Sequence, residues 1–112
     1  MAHRDLLIED LKQKIETEND FESFQQLANI YVSDFDYDSA LGVYQKMLLS
    51  YPNDFQALLN SGSILFYKKN YEKATRNYLR ASEVEPENFA PFFNLGNVYA
   101  EIGNFEKALL NY

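Results

Sequence analysis

The sequence predicts an all-α fold of repeated helical hairpins, and three observations carry that prediction. First, the chain repeats at a step of 34 residues: Pro52 and Pro86, then Ala40, Ala74 and Ala108, then Tyr44, Tyr78 and Tyr112 all fall on it. A fixed period of this length marks stacked supersecondary units, each touching only its neighbours. Second, apolar and small residues within each unit recur at the spacing of one helix face. They are Phe24, Leu27, Ala28 and Tyr31, then Leu58, Ser61, Gly62, Ile64 and Leu65, then Phe92, Leu95, Gly96 and Tyr99. Third, short polar residues and prolines stand where helices must start and stop.

Residues 1–20 precede the repeat. Leu7, Leu11 and Ile15 recur every four residues among charged neighbours, which predicts an amphipathic helix of about three turns. Its expected role is a polar-faced cap on the first unit, as terminal repeats require. A mobile tail or a coiled-coil seed are the alternatives. The repeat units follow as 21–54, 55–88 and 89–112, the third stopping inside its second helix.

Each unit opens on a candidate N-cap: Asp20, Asn53 (with Gln56 three residues on, as in a capping box) and Asn88. Pro91 falls in a first turn, where a missing amide hydrogen costs little. The central small residues Ala28, Gly62 and Gly96 predict close approach of a second helix. A mid-helix glycine costs about 1 kcal/mol against alanine, so packing must offset it. Turns follow at Asp34-Phe35-Asp36, Lys68-Lys69-Asn70 and Ile102-Gly103-Asn104, where Asp36, Asn70 and Asn104 are placed to cap the second helices. Those helices bury Tyr37, Ala40 and Tyr44, then Tyr71, Ala74, Tyr78 and Ala81, and end before Pro52 and Pro86.

Composition bounds the function. The chain has 112 residues, is 46% hydrophobic and carries a formal charge of −7. That charge disfavours nucleic acid, whose phosphates need basic groups, and an anionic membrane surface. The absence of cysteine removes disulfides, thiolate metal sites and a cysteine nucleophile. No apolar run approaches the roughly 18 residues of a membrane span, and the first residues lack a secretory apolar core, so a cytoplasmic location is expected. No catalytic constellation emerges, and the expectation is a protein that is not an enzyme and uses no cofactor. His3 is the sole histidine, and the four glycines are isolated rather than gathered in a phosphate loop. Asp34, Asp36 and Asp38 fail as a calcium loop, because the sixth and twelfth positions are Ser39 and Gln45 where glycine and glutamate are needed.

From Phe21 to Tyr112 the pattern resembles the tetratricopeptide repeat family, with several positions agreeing in three registers and no insertion. Phe24, Leu58 and Phe92 stand where the family commonly has tryptophan, and Met47 stands where the second unit has Ala81. The resemblance implies a right-handed superhelical stack whose first helices line a concave groove. It also implies which residues face that groove. As a candidate peptide site we take Gln25, Asn29, Leu59, Asn60, Ser63, Phe66, Tyr67, Phe93, Asn94 and Asn97.

Chaperone-binding members of the family grip a terminal carboxylate with three cations and two asparagines. The matching positions here are Gln25, Asn29, Asn60, Ala90 and Asn94, so the asparagines are kept and every cation is missing. An adaptor for such tails is therefore not expected. The groove offers amides instead, for an extended backbone, and Leu59, Phe66, Tyr67 and Phe93 for apolar side chains. An equally weighted reading has Asn60 and Asn94 only satisfying nearby backbone. Between Ile15 and Gln45 there are seven acidic residues and no Lys or Arg, which suits either a solvated end or steering of a basic partner. The function expected is a non-catalytic protein-interaction scaffold that takes an apolar or basic peptide or helix. The alternative is an assembly subunit whose copies meet through an open end, the C-terminal one in particular.

Overall fold

Seven α-helices and no strand make up the described residues, 3–112, of the computed structural model. They fall into two compact units, residues 1–52 and 53–112.

The first unit holds α1 (His3–Glu18), α2 (Phe21–Ser33) and α3 (Tyr37–Ser50). α1 is longer than expected and packs on α2 through Leu11 and Ile15, which are buried, whereas Leu7 is largely exposed. Asn19 ends α1 in the left-handed region (φ 52°), a conformation asparagine tolerates better than most residues. Its carbonyl accepts from the Tyr51 hydroxyl at 2.7 Å and its side chain from Ser50 at 2.9 Å. The Tyr51 ring then meets Phe21 and Phe24 edge-on, with centroids at 5.0 and 6.2 Å. Ion pairs Arg4–Asp34 and Lys46–Glu16 add contacts between helices. The hydrogen bond and charge of Lys46 hold the Glu16 carboxyl below its usual pKa. The pair is exposed, so it contributes little to stability.

The second unit holds α4 (Phe55–Tyr67), α5 (Tyr71–Val84), α6 (Ala90–Glu101) and α7 (Phe105–Asn111). Its core is Leu58, Ser61, Ile64, Leu65, Ala74, Tyr78, Ala81, Leu95 and Val98, all buried. Tyr71, like Tyr37 in the first unit, is only half-buried rather than in the core.

The three intra-hairpin turns share one geometry. Phe35, Lys69 and Gly103 sit in the left-handed region. In each turn the next amide reaches back to the first helix, from Asp36 to Tyr31 O (2.9 Å), Asn70 to Leu65 O (2.8 Å) and Asn104 to Tyr99 O (2.7 Å). This is the Schellman pattern, which satisfies otherwise orphaned carbonyls. The same three residues cap the second helix, accepting from Ser39, Lys73 and Lys107 amides as predicted. At the unit starts, Asp20 caps α2. The second start corrects the prediction. Asp54, not Asn53, caps α4 by accepting from the Ala57 amide at 3.0 Å, so the capping box with Gln56 does not form. The third start departs as well, since Phe89, not Asn88, is the N-cap residue of α6 and makes no side-chain cap. Asn88, one residue earlier, accepts from the Ala90 amide at 3.0 Å, with Pro91 in the first turn.

The small residues of the first helices receive tyrosines of the second. A Cβ built at Gly62 would lie 2.7 Å from a Tyr78 ring carbon, and one at Gly96 would lie 2.6 Å from Tyr112. Gly42 differs, since a Cβ there meets nothing within 4 Å. Two mid-helix glycines should therefore answer alanine with opposite signs. Gly42→Ala is expected to gain about 1 kcal/mol from helix propensity. Gly62→Ala is expected to lose about 1 kcal/mol or more, because overpacking outweighs the same gain. Urea unfolding of both variants checks this.

Candidate functional site

The residues predicted to line a groove lie on the first helix of each hairpin. Gln25 and Asn29 are exposed on α2 of the first unit. The other eight are in the second unit, with Leu59, Asn60, Ser63, Phe66 and Tyr67 on α4 and Phe93, Asn94 and Asn97 on α6. α4 and α6 touch directly, so these eight belong to one pair of adjacent helices.

Their environments differ. Tyr67 is 71% exposed and Phe93 50%. Leu59, Asn60, Phe66 and Asn94 are half-buried. Phe66 leans on Tyr71 with ring centroids 5.7 Å apart, and Phe93 leans on Tyr112 at the same separation. Both aromatics are thus held from one side, and Phe93 is the more exposed of the two. No Lys or Arg is present among the eight, so the site has no fixed cation for a terminal carboxylate.

Ser63 and Asn97 are not simply presented to a ligand. The Tyr78 hydroxyl donates to Ser63 Oγ at 3.1 Å, and the Tyr112 hydroxyl donates to Asn97 Oδ1 at 2.8 Å. Burial raises the Tyr78 pKa, which its bond to Ser63 partly offsets, so this hydroxyl keeps its proton. Beneath them, Ser61 Oγ donates to Ala57 O at 2.6 Å and accepts from Asn77 Nδ2 at 2.8 Å. The residues that orient Ser63 and Asn97 were missed from the sequence, yet the signal was present. Ser63 and Asn97 are one period apart, as are Tyr78 and Tyr112.

Among the described residues no three His, Cys, Asp or Glu side chains group as metal ligands, and no helix is long and apolar enough to cross a membrane.

A family model described as TPR repeat matches residues 62–103, and one described as tetratricopeptide repeat matches residues 23–56. No curated protein matches the chain. Among solved structures, one of MamA matches with a TM-score of 0.84 at 21% identity, covering 94% of this chain and 62% of its own. A second MamA crystal structure gives 0.85 at 22%, covering 94% and 58%. MamA from residue 41 onward of Desulfovibrio magneticus RS-1 gives 0.80 at 17%, covering 93% and 59%. This chain therefore spans about three fifths of those MamA chains, and the likeness at such identities is one of fold.

The tyrosine hydroxyl is expected to contribute to packing rather than to binding. Tyr78→Phe should cost about 0.5–1.5 kcal/mol, the net worth of one hydrogen bond. Chemical denaturation measures it. Ser63 is exposed and keeps its own bond to Leu59 O at 3.1 Å, so a much larger loss would contradict this assignment.

Proposed function

Because the chain is a tetratricopeptide repeat protein, we propose that it is a non-catalytic interaction module whose α4/α6 face takes an apolar or basic peptide segment. The observation that carries this is the pair Tyr67 and Phe93. Both are large, apolar and at least half exposed, on adjacent first helices. The core does not need them, and exposed aromatics of this kind are the usual anchors of a binding surface. Asn94 and Asn97, on α6 with Phe93, supply amide groups for a peptide backbone. The missing cations favour an internal peptide segment over a chain terminus. Gln25 and Asn29 extend the same repeat positions into the first unit.

The test is a pull-down with the wild-type chain against Tyr67→Ala/Phe93→Ala, followed by titration of whatever is retained. The double variant should keep its helicity by circular dichroism and lose about 2 kcal/mol or more of binding free energy. Equal retention by a folded double variant rejects the face.

A second reading rests on α7. Phe105, Leu109 and Leu110 on this short helix, and Tyr112 just after it, are all more than half exposed, and an apolar surface of that kind favours association. Copies meeting through it should give a mass that rises with concentration in sedimentation, and Leu109→Glu should abolish the rise. A constant monomer mass removes this reading.

A further inference from the structure

A cleft runs along the first unit between α1 and α3. Its floor is α2, through Phe24, Leu27 and Tyr31, and its walls are Ile15 on α1 and Gly42 and Val43 on α3. Its volume is about 490 Å³, and it is open to solvent along its length. Glu16 and Lys46 join the two walls as an ion pair.

α3 is what opens it. One period on, Ser39, Gly42 and Val43 correspond to Lys73, Arg76 and Asn77, and two periods on to Lys107, Leu110 and Asn111. The first unit alone carries small or purely apolar residues at all three positions. Glycine is costly inside a helix, and no neighbouring atom requires one at residue 42, since a Cβ there would find open space. The vacancy is thus built by the sequence at some expense to the helix.

Charge indicates what enters. Residues 1–52 hold ten Asp and Glu against four Lys and Arg, an excess of six negative charges. Residues 53–112 hold seven against six. All four cations of the first unit are already paired, as Arg4–Asp34, Lys12–Glu9, Lys14–Asp10 and Lys46–Glu16. The lysines lining the slot, Lys12 and Lys46, are offset by Glu9 and Glu16, so the charge an incoming group meets at a distance is the negative excess of the unit as a whole.

We propose that this cleft docks a basic amphipathic helix of a partner protein. Two apolar side chains one turn apart would seat against Tyr31 and Val43 in the space left by Gly42, above the buried Phe24 and Leu27, and lysine or arginine on the flanks would meet the net negative charge of the unit. Helix-in-groove recognition takes this form, with anchors at i and i+3 or i+4. The site lies wholly in the first unit and is independent of the α4/α6 face.

The test titrates the isotope-labelled full chain with a short leucine–lysine amphipathic peptide and with its leucine–glutamate counterpart. The lysine peptide should shift Tyr31, Gly42 and Val43 resonances saturably, and its affinity should fall as salt screens the field. The glutamate peptide should bind at least about tenfold more weakly. Gly42→Leu fills the slot with a better helix former, so it should fold at least as well and lose affinity about tenfold or more. Unchanged affinity in Gly42→Leu, equal binding of the two peptides, shifts confined to α4 and α6, or no saturable binding of the lysine peptide would each overturn the proposal.

Discussion

In the second unit, two tyrosines lie where a methyl group would otherwise stand. Tyr78 meets the bare Cα of Gly62 and Tyr112 that of Gly96, so each ring lies closely against the first helix of its hairpin, Tyr78 buried there and Tyr112 still more than half exposed. For Tyr78 the burial is nearly complete. The ring then ends in a hydroxyl that has to be satisfied in a tight space, and it is satisfied by Ser63, next to the glycine in sequence. One side chain thus packs the hairpin and fixes a polar position on α4. Tyr112 repeats the arrangement with Asn97. The first unit solves the same problem with Ala28 and Tyr44, both buried.

Most of the fold could be read from the sequence because the repeat supplies three copies of each signal. Helix starts at Asp20, Asp36, Asn70 and Asn104, and helix ends before Pro52 and Pro86, are where periodicity and capping chemistry place them. The miss at Asn53 has a simple cause. Asn53 and Asp54 are adjacent and both competent to cap, and only backbone geometry decides between them. The length of α1 was underestimated because the apolar residues that mark it, Leu7, Leu11 and Ile15, span only its middle, and its first turn before Leu7 carries no buried residue. The left-handed turns escaped notice because only Gly103 advertises one, whereas Phe35 and Lys69 adopt it without the usual residue.

The site was less legible, for a physical reason. Repeat position tells which residues lie on a first helix, but not what else those residues are bonded to. By residue type, nothing singles out Ser63 and Asn97 from the other polar residues of the first helices, whereas in the fold each accepts from a tyrosine hydroxyl. Phe66 and Phe93 look equivalent as aromatics, yet the first is half-buried against Tyr71 and the second is the more exposed. The acidic run was read correctly as a run. Its restriction to the unit that also carries an open apolar cleft emerges only when the helices are placed.

Asp36, Asn70 and Asn104 each close one helix with their backbone amide and open the next with their side chain. Two helix ends are thereby committed to a single residue, with one residue between it and the C-cap. An insertion or deletion there would separate the two duties, leaving carbonyls on one side or amides on the other without partners. The links between hairpins carry no such double duty, since Tyr51 to Asp54 and Glu85 to Phe89 divide stop and start among several residues. Length variation in chains of this kind should therefore accumulate between hairpins and not within them. The hairpin, rather than the 34-residue period, is the unit whose length the chemistry fixes.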